Sequence, residues 1–389
     1  MHYIPAYITL FFVSGIVFPY LPILVRNLGY PAATVGILLS IAEGAGILGP
    51  FIFGRVADKY GKYKGCIALS YVLAAAAAVP LALFVHPVLS GIFIAVSAIG
   101  FRSSMPLLDS ITTIHLGEKG NYGKIRVFGS IAFVCFVFFM QWVPVLRPNT
   151  SVNIAFWICV TAALGIIVIT LLPSKYTTRM TPSKDTGHAE AGKKSIWTPI
   201  FIVGLVSIAL NRMAMVPVHS FFSLFLVEYM RWDAVGLMMT LSGLAEIPFI
   251  FFSYRLIRRY GTMPILAFTS AIVALRLGLY AIFPFKAGVI AGQLLHSFCF
   301  GLFHPASIAF ISDSVPSEQR SYGMTLYLSL GWGLPAFLGN FMGGFVIDNA
   351  GFRSLFGYFT VFALLSAAIY PVYYLRNRYA RNKQKASTS

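Results

Sequence analysis

Apolar residues run along this chain in long blocks separated by short polar connections. Blocks of about 20 residues, the length a helix needs to cross a hydrocarbon core, fall at 4–25, 33–54, 63–84, 88–113, 124–145, 151–172, 198–227, 233–254, 263–284, 287–312, 321–346 and 352–375. Lipid offers no hydrogen-bond partners to an open backbone, so such spans must be helical, and they are too long for barrel strands. The pattern predicts an all-α membrane protein with twelve transmembrane helices in two pseudo-symmetric six-helix bundles. The first block has no basic leader and outruns a signal-peptide core, so it reads as a retained first helix.

The chain also repeats itself. The stretch VGILLSIAEGAGILGPFIFGRVADKYG at 35–61 aligns without a gap on VGLMMTLSGLAEIPFIFFSYRLIRRYG at 235–261, matching Gly36 with Gly236, Arg55 with Arg255 and Gly61 with Gly261. Tyr122-Gly123 recurs at the same offset of 200 as Tyr322-Gly323. One long polar, Ser/Thr/Lys-rich stretch divides six spans from six and reads as a flexible linker. The expected organisation is an N-terminal bundle at 1–173, a cytoplasmic linker at 174–197, a C-terminal bundle at 198–376 and a basic tail at 377–389. Duplicated six-helix halves are the plan of a secondary transporter that binds its substrate near the midplane and works by alternating access.

Composition agrees with a membrane protein: 58% of residues are hydrophobic, 11% are charged and the mean hydropathy is +0.79. The net charge of +17 would point to nucleic acid in a soluble chain, but its distribution says otherwise. Of 29 Lys and Arg, 20 fall in the even-numbered connections and the tail and five in the odd-numbered ones. By the positive-inside rule both termini are cytoplasmic, in an inner or plasma membrane, and no nucleic-acid partner is needed. Cys66, Cys135, Cys159 and Cys299 fall in or at the ends of spans without ligand spacing, so no disulfide framework or metal site is expected.

The connection GRVADKYGKYK supplies Gly54, Asp58, Lys59, Gly61, Lys62 and Lys64 in the pattern G-x-x-x-D-[RK]-x-G-[RK]-x-[RK]. A small residue allows close helix approach, an acid can accept from a neighbouring helix end or an arginine, and cations suit the cytoplasmic surface. The motif resembles the signature loop of the major facilitator superfamily, where the Asp helps latch the cytoplasmic side. The second copy has Arg258 where the first has Asp58. With FFVSGIVFPYLPILV, PLLDSITTIHLG, YGKIRVFGSIAF and LLHSFCFGLFH, the whole chain resembles the branch holding the phenylpropionate permease and, more distantly, lactose permease. The fifth span lacks the G-x-x-x-G-P-x-x-G-G pattern of drug exporters, which favours import.

Seven charges lie inside spans, each costing about 2.5–3.5 kcal/mol on insertion scales and so each a candidate site: Glu43, Arg102, Asp109, Arg126, Arg212, Glu246 and Arg276. Arg102 and Asp109 are seven residues apart on one helix face and can point into the same cavity. The resemblance aligns Asp109 and Arg126 with the pair that binds sugar in lactose permease; an interhelical salt bridge is the other reading. Phe133 stands where that permease stacks a Trp on the sugar, and it can stack but not donate. Arg276 and His296 align with the permease's arginine and histidine, while its proton-carrying Glu is replaced by Cys299. Glu246, two residues before Pro248, is the substitute proton carrier, or else a structural partner of Arg276. His219, His304, Arg212 and Glu43 are further interior polar candidates.

Four interior arginines against three acids favour an anionic substrate. The expected function is proton-coupled import of a small organic solute, first an organic or aromatic carboxylate, then a nucleoside or an oligosaccharide. An exporter using the same charges and a non-transporting membrane sensor are the rivals. No enzyme motif or cofactor is expected; the partners are the solute, the proton and the bilayer, and the expected unit is a monomer.

Overall fold

A computed structural model describes residues 2–116, 122–173, 195–316 and 319–388. The predicted linker, apart from 195–197, and the side chains of the basic tail lie outside the described residues, as do Lys119, Lys175, Arg179, Lys184, Lys193 and Lys194. The described chain is almost wholly helical: α1 Ile4–Arg26, α2 Ala32–Tyr60, α3 Tyr63–Leu83, α4 Pro87–Leu116, α5 Tyr122–Trp142, α6 Ser151–Leu171, α7 Pro199–Tyr229, α8 Val235–Tyr260, α9 Thr262–Ile282 and α10 Lys286–Ser314. The last apolar run, Tyr322–Arg376, breaks at Gly351, whose φ of 78° no helix contains, into α11 (322–350) and α12 (352–376). Among the described residues, ten helices are long and apolar enough to cross a membrane, eleven with the bent α8, and the break at Gly351 makes twelve segments.

Local signals set these limits. Thr150 and Thr198 cap α6 and α7 by accepting from the backbone N–H of Asn153 and Phe201. Gly61 after α2 and Gly261 after α8 both turn at positive φ, 65° and 83°. Both copies of the repeat therefore end on a glycine at a φ where a Cβ would be strained, Gly61 in the left-handed region and Gly261 with an extended ψ of 162°. α8, which contains Pro248, bends by 56° between Val235–Phe249 and Phe252–Tyr260. Wider π-helical turns occupy Pro217–Phe221 and Phe225–Tyr229 in α7, Ser297–Leu302 in α10 and Tyr327–Gly333 in α11.

The chain separates into two compact units. Unit one comprises Met1–Ala189 with Val218–Thr240 and Asn340–Asn349; unit two comprises Glu190–Pro217, Leu241–Gly339 and Ala350–Ser389. In unit one α4 packs against α2 and α3, and α1 against α5 and α6. With no hydrophobic drive between helices in lipid, close approach falls to small residues. A methyl group on Gly49 would collide with the Ile99 carbonyl oxygen, and one on Gly100 would come within 2.5 Å of that of Ser70. Gly54, expected to allow such an approach, has nothing within 4 Å of that position, because the α2 and α4 backbones meet at Gly49 instead.

Unit two is built around Phe201, Ile208, Leu266, Phe303, Phe310 and Tyr327. A hydroxyl cluster ties α7, α9 and α12: Ser366 shares hydrogen bonds with Ser207 at 3.1 Å and Ser270 at 2.8 Å, and Asn211 Nδ2 donates to Ser270 at 2.8 Å. Large side chains such as Phe51, Ile92, Phe139 and Leu364 stay exposed, as a lipid-facing surface requires.

The two glycines separate packing from composition. Gly49→Ala is expected to cost about 1–3 kcal/mol of stability by forcing α2 from α4, whereas Gly54→Ala leaves the detergent-solubilised melting temperature near that of the parent.

Candidate functional site

Unit one holds a four-residue polar cluster drawn from three helices. Asp109 of α4 accepts from Arg126 Nη1 of α5 at 2.8 Å through one oxygen and from the Tyr7 hydroxyl of α1 at 2.7 Å through the other. The same Arg126 nitrogen donates to the Tyr122 hydroxyl at 2.6 Å, one turn earlier on α5. Tyr7 is fully buried, while Asp109 and Arg126 keep 27% and 35% of their side-chain surface, so the pair is anchored on one side and reachable on the other.

Arg102 does not join this cluster. Its Nη2 donates to Glu43 of α2 at 2.6 Å, its guanidinium lies 5.5 Å from the Phe18 ring centre, and its stem fills the space left by Gly46. Two turns separate Arg102 and Asp109 on α4, yet each finds its partner on a different neighbouring helix. Phe133 lies beside Gly15 on α1, with a ring carbon 3.7 Å from where a side chain there would begin.

Unit two carries a second line of polar groups. Arg276 of α9, only 1% exposed, donates through Nη1 to His296 Nδ1 at 2.9 Å, through Nε to the Tyr280 hydroxyl at 3.1 Å, and through Nη2 to Gln293 Oε1. His296 presents Nε2 to Glu246 Oε2 of α8 at 3.7 Å. Gly301, in the π-helical turn after His296, makes room for this approach: a methyl there would lie 3.1 Å from Glu246 Cγ. Cys299 is buried nearby without taking the place of an acid. One face of α10 continues as a column of rings, with Phe300 parallel to His296 and His304 at centroid distances of 5.8 and 5.5 Å. Trp332 of α11 meets this column edge-on and carries the Arg212 guanidinium 4.6 Å from its ring, and His304 Nδ1 is 3.1 Å from the Tyr327 hydroxyl. His219 lies in the π-helical turn Pro217–Phe221 of α7, outside this column.

At the end of α2, Asp58 accepts from the Tyr63 hydroxyl at the start of α3. Lys59 stacks over Tyr60 at 5.2 Å, Lys62 precedes α3, and Lys64 Nζ donates to the Leu172 carbonyl at 2.9 Å.

Tyr7, Tyr122, Tyr280 and Gln293 are the site groups that sequence reasoning missed. Nothing distinguishes these tyrosines among 20 in the chain. Gln293, a polar side chain in an apolar span, carried the one legible signal.

Residues 2–358 match a family model described as the MFS_1 like family. The chain belongs to that family. It is 26% identical over 369 residues to the uncharacterized transporter YwbF of Bacillus subtilis, covering 93% of this chain and 89% of the relative. It is 24% identical to the maltose permease of Geobacillus stearothermophilus, with coverage of 93% and 91%. In fold it resembles the crystal structure of the nucleoside transporter NupG, with a TM-score of 0.74, 18% identity and coverage of 95% and 98%. This MFS_1 like protein is a major facilitator superfamily transporter with many membrane-spanning helices, and not an enzyme.

Removing one member of the first cluster leaves the other charge without its partner. Asp109→Asn is expected to lower stability by about 1 kcal/mol after allowance for the pair's partial exposure. Asp109→Asn with Arg126→Gln recovers part of that loss, so a double-mutant cycle read by thermal unfolding in detergent gives a non-zero coupling energy.

Proposed function

We propose that this transporter imports a small organic solute together with a proton by alternating access, with both termini in the cytoplasm. The observation that carries the coupling is the line from Arg276 through His296 to Glu246. A guanidinium only donates, so His296 Nδ1 accepts and bears no proton. The proton of the neutral imidazole is then on Nε2, the atom that faces Glu246 at 3.7 Å. Charged, the carboxylate attracts that N–H; protonated, it gives up most of the attraction. Binding a proton therefore changes the link between α8 and α10, which is what a coupling site has to do. The resemblance to lactose permease expects an acid one turn after the histidine, where this chain has Cys299. Glu246 brings a carboxylate to the same histidine from α8 instead.

Asp109, Arg126 and Arg102 form the substrate-binding candidates, with Phe133 beside α1. Both arginines are already paired with acids, at 2.8 and 2.6 Å, so this region is close to neutral overall. That balance favours an uncharged, hydrogen-bonding solute of nucleoside or saccharide type over the carboxylate favoured by the charge count alone. The names of the relatives, a maltose permease and the nucleoside transporter NupG, point the same way. An aromatic carboxylate stays as the second reading, because four interior arginines still face three acids and the motifs resemble the phenylpropionate permease branch.

In proteoliposomes, uptake is expected to require an inward proton gradient. Glu246→Gln retains counterflow and loses uphill uptake, and uphill uptake by that variant would remove the proton assignment. Uptake driven by an outward-directed proton gradient would replace import by export. A thermal-shift series with uridine, maltose and benzoate reads the solute class, since a ligand that binds only the folded state raises its apparent stability. Stabilisation by benzoate alone would restore the carboxylate to first place.

A further inference from the structure

We infer that the end of α5 carries a lipid site, a pocket at one membrane–water boundary that takes the headgroup of a phosphatidylethanolamine, with the phosphate on Arg147 and the ammonium on Asp233. The site belongs to unit one alone and lies at the opposite end of α5 from Arg126. It depends neither on which solute is carried nor on which side of the membrane this end faces.

Position comes first. α5 ends at Trp142, and the chain turns at once through the short helical turn Pro144–Leu146 to Arg147. A span that starts at Tyr122 puts Trp142 at the edge of the hydrocarbon, the level at which indole rings collect. Trp142 is 74% exposed and stacks on Phe138, one turn earlier, at a centroid distance of 5.8 Å. Phe138 and Leu237 are exposed as well, and apolar side chains on the outside of a membrane helix meet lipid. Between these three side chains, Gln141 and Arg147 lies a pocket of 360 Å³. Small-ligand sites start at about 300 Å³, so the pocket has room for a headgroup, with the acyl chains outside along Phe138 and Leu237.

The polar wall of the pocket is unevenly used. Gln141 is saturated: its amide nitrogen donates to the Asp233 carbonyl and its oxygen accepts from the Gly236 N–H, both at 2.9 Å. A methyl on Gly236 would come within 2.5 Å of the Val137 carbonyl oxygen, and this close crossing is what brings Asp233 to the end of α5. Arg147 donates through Nε to the Gln141 carbonyl at 2.8 Å and through Nη1 to Asp233 Oδ2 at 2.7 Å, which fixes the guanidinium and leaves Nη2 without an acceptor among the described residues. Asp233 Oδ1 is likewise without a donor among the described residues, and Arg147 and Asp233 keep 32% and 66% of their side-chain surface. Trp142 adds an indole N–H, which can only donate.

An open N–H on a fixed cation beside an open carboxylate oxygen selects the lipid. An anionic headgroup would gain Arg147 and be repelled by Asp233. A zwitterionic headgroup finds an opposite charge for each of its own. Phosphocholine ends in a quaternary ammonium with no N–H, whereas the ammonium of phosphoethanolamine can donate to Asp233 Oδ1. Guanidinium groups match phosphate oxygens in geometry, and hydrogen bonds between ionised partners are about twice as strong as neutral ones.

Native mass spectrometry of the detergent-purified full-length protein reads the site when dioleoyl phosphatidylethanolamine, phosphatidylcholine or phosphatidylglycerol is titrated in. The parent is expected to hold one phosphatidylethanolamine about tenfold more tightly than phosphatidylcholine, the effect of one charge-assisted hydrogen bond. Asp233→Asn is expected to bring the two lipids within about twofold of each other, and Arg147→Gln to weaken both. Those two changes also break the ion pair, so Leu237→Trp serves as the independent variant: it fills the pocket and leaves Arg147 and Asp233 in place. It is expected to lose the bound phosphatidylethanolamine while its melting temperature without added lipid stays near that of the parent. Equal retention of the three lipids by the parent, a preference for phosphatidylglycerol, or the parental preference persisting in Asp233→Asn and Leu237→Trp would overturn the site. Retention is measured without solute or proton gradient, so its loss leaves the import reading to be judged by Glu246→Gln alone.

Discussion

Everything in this protein is arranged around the cost of leaving a polar group unsatisfied in hydrocarbon. The backbone meets that cost by becoming helix almost throughout the described residues, and the interior side chains meet it by pairing. Arg126 at the mouth of an apolar helix is the clearest case. Its charge is tolerable because Asp109 and the Tyr122 hydroxyl both accept from its Nη1, and Asp109 is in turn held by the buried Tyr7 hydroxyl. The pair is thus held from one side through a single guanidinium nitrogen, while its other side stays accessible. On the proposed reading, stability and recognition come from the same contacts.

The second cluster solves the same problem with less charge. Arg276 is almost completely buried and spends its donors on a histidine, a tyrosine and a glutamine. Those neutral partners leave Glu246 without a direct arginine partner among the described residues, so its charge can change without stranding Arg276. Where Asp109 is locked to Arg126 at 2.8 Å, Glu246 meets only an imidazole at 3.7 Å. A tightly paired carboxylate suits binding, and a loosely paired one suits proton exchange. On the proposed reading, the difference divides the two roles between the two clusters.

Much of this was legible in the sequence because the bilayer leaves few choices. Twelve apolar blocks, the repeat at an offset of 200 and the Asp109/Arg126 pair were all readable from residue type and spacing. Helix periodicity did less well where it had to choose a neighbour. It placed Arg102 and Asp109 on one face of α4, but a face is wide enough for the longer side chain to reach α2 and the shorter α1 and α5. Gly54 looked like the contact glycine because of its motif, whereas the contact is at Gly49, set by how α2 crosses α4. The supporting tyrosines were invisible, since an aromatic ring in an apolar span reads the same whether its hydroxyl is bonded or faces lipid. The π-helical turns were equally silent, being a property of packing and not of any one residue.

The duplication makes a last distinction between what the two copies kept and what they changed. Gly36 with Gly236 keep a close crossing, and Gly61 with Gly261 keep a positive φ at the end of the helix. Those tasks depend on the absence of a Cβ and survive any change of chemistry around them. The charged positions have diverged: Asp58 of the first copy is Arg258 in the second, and an ion pair in unit one is answered in unit two by a line ending in Glu246. Close crossings are needed in both copies whatever the chemistry, while on the proposed reading the interior charges carry two different tasks. Shared glycines and unshared charges are the pattern those two demands produce together.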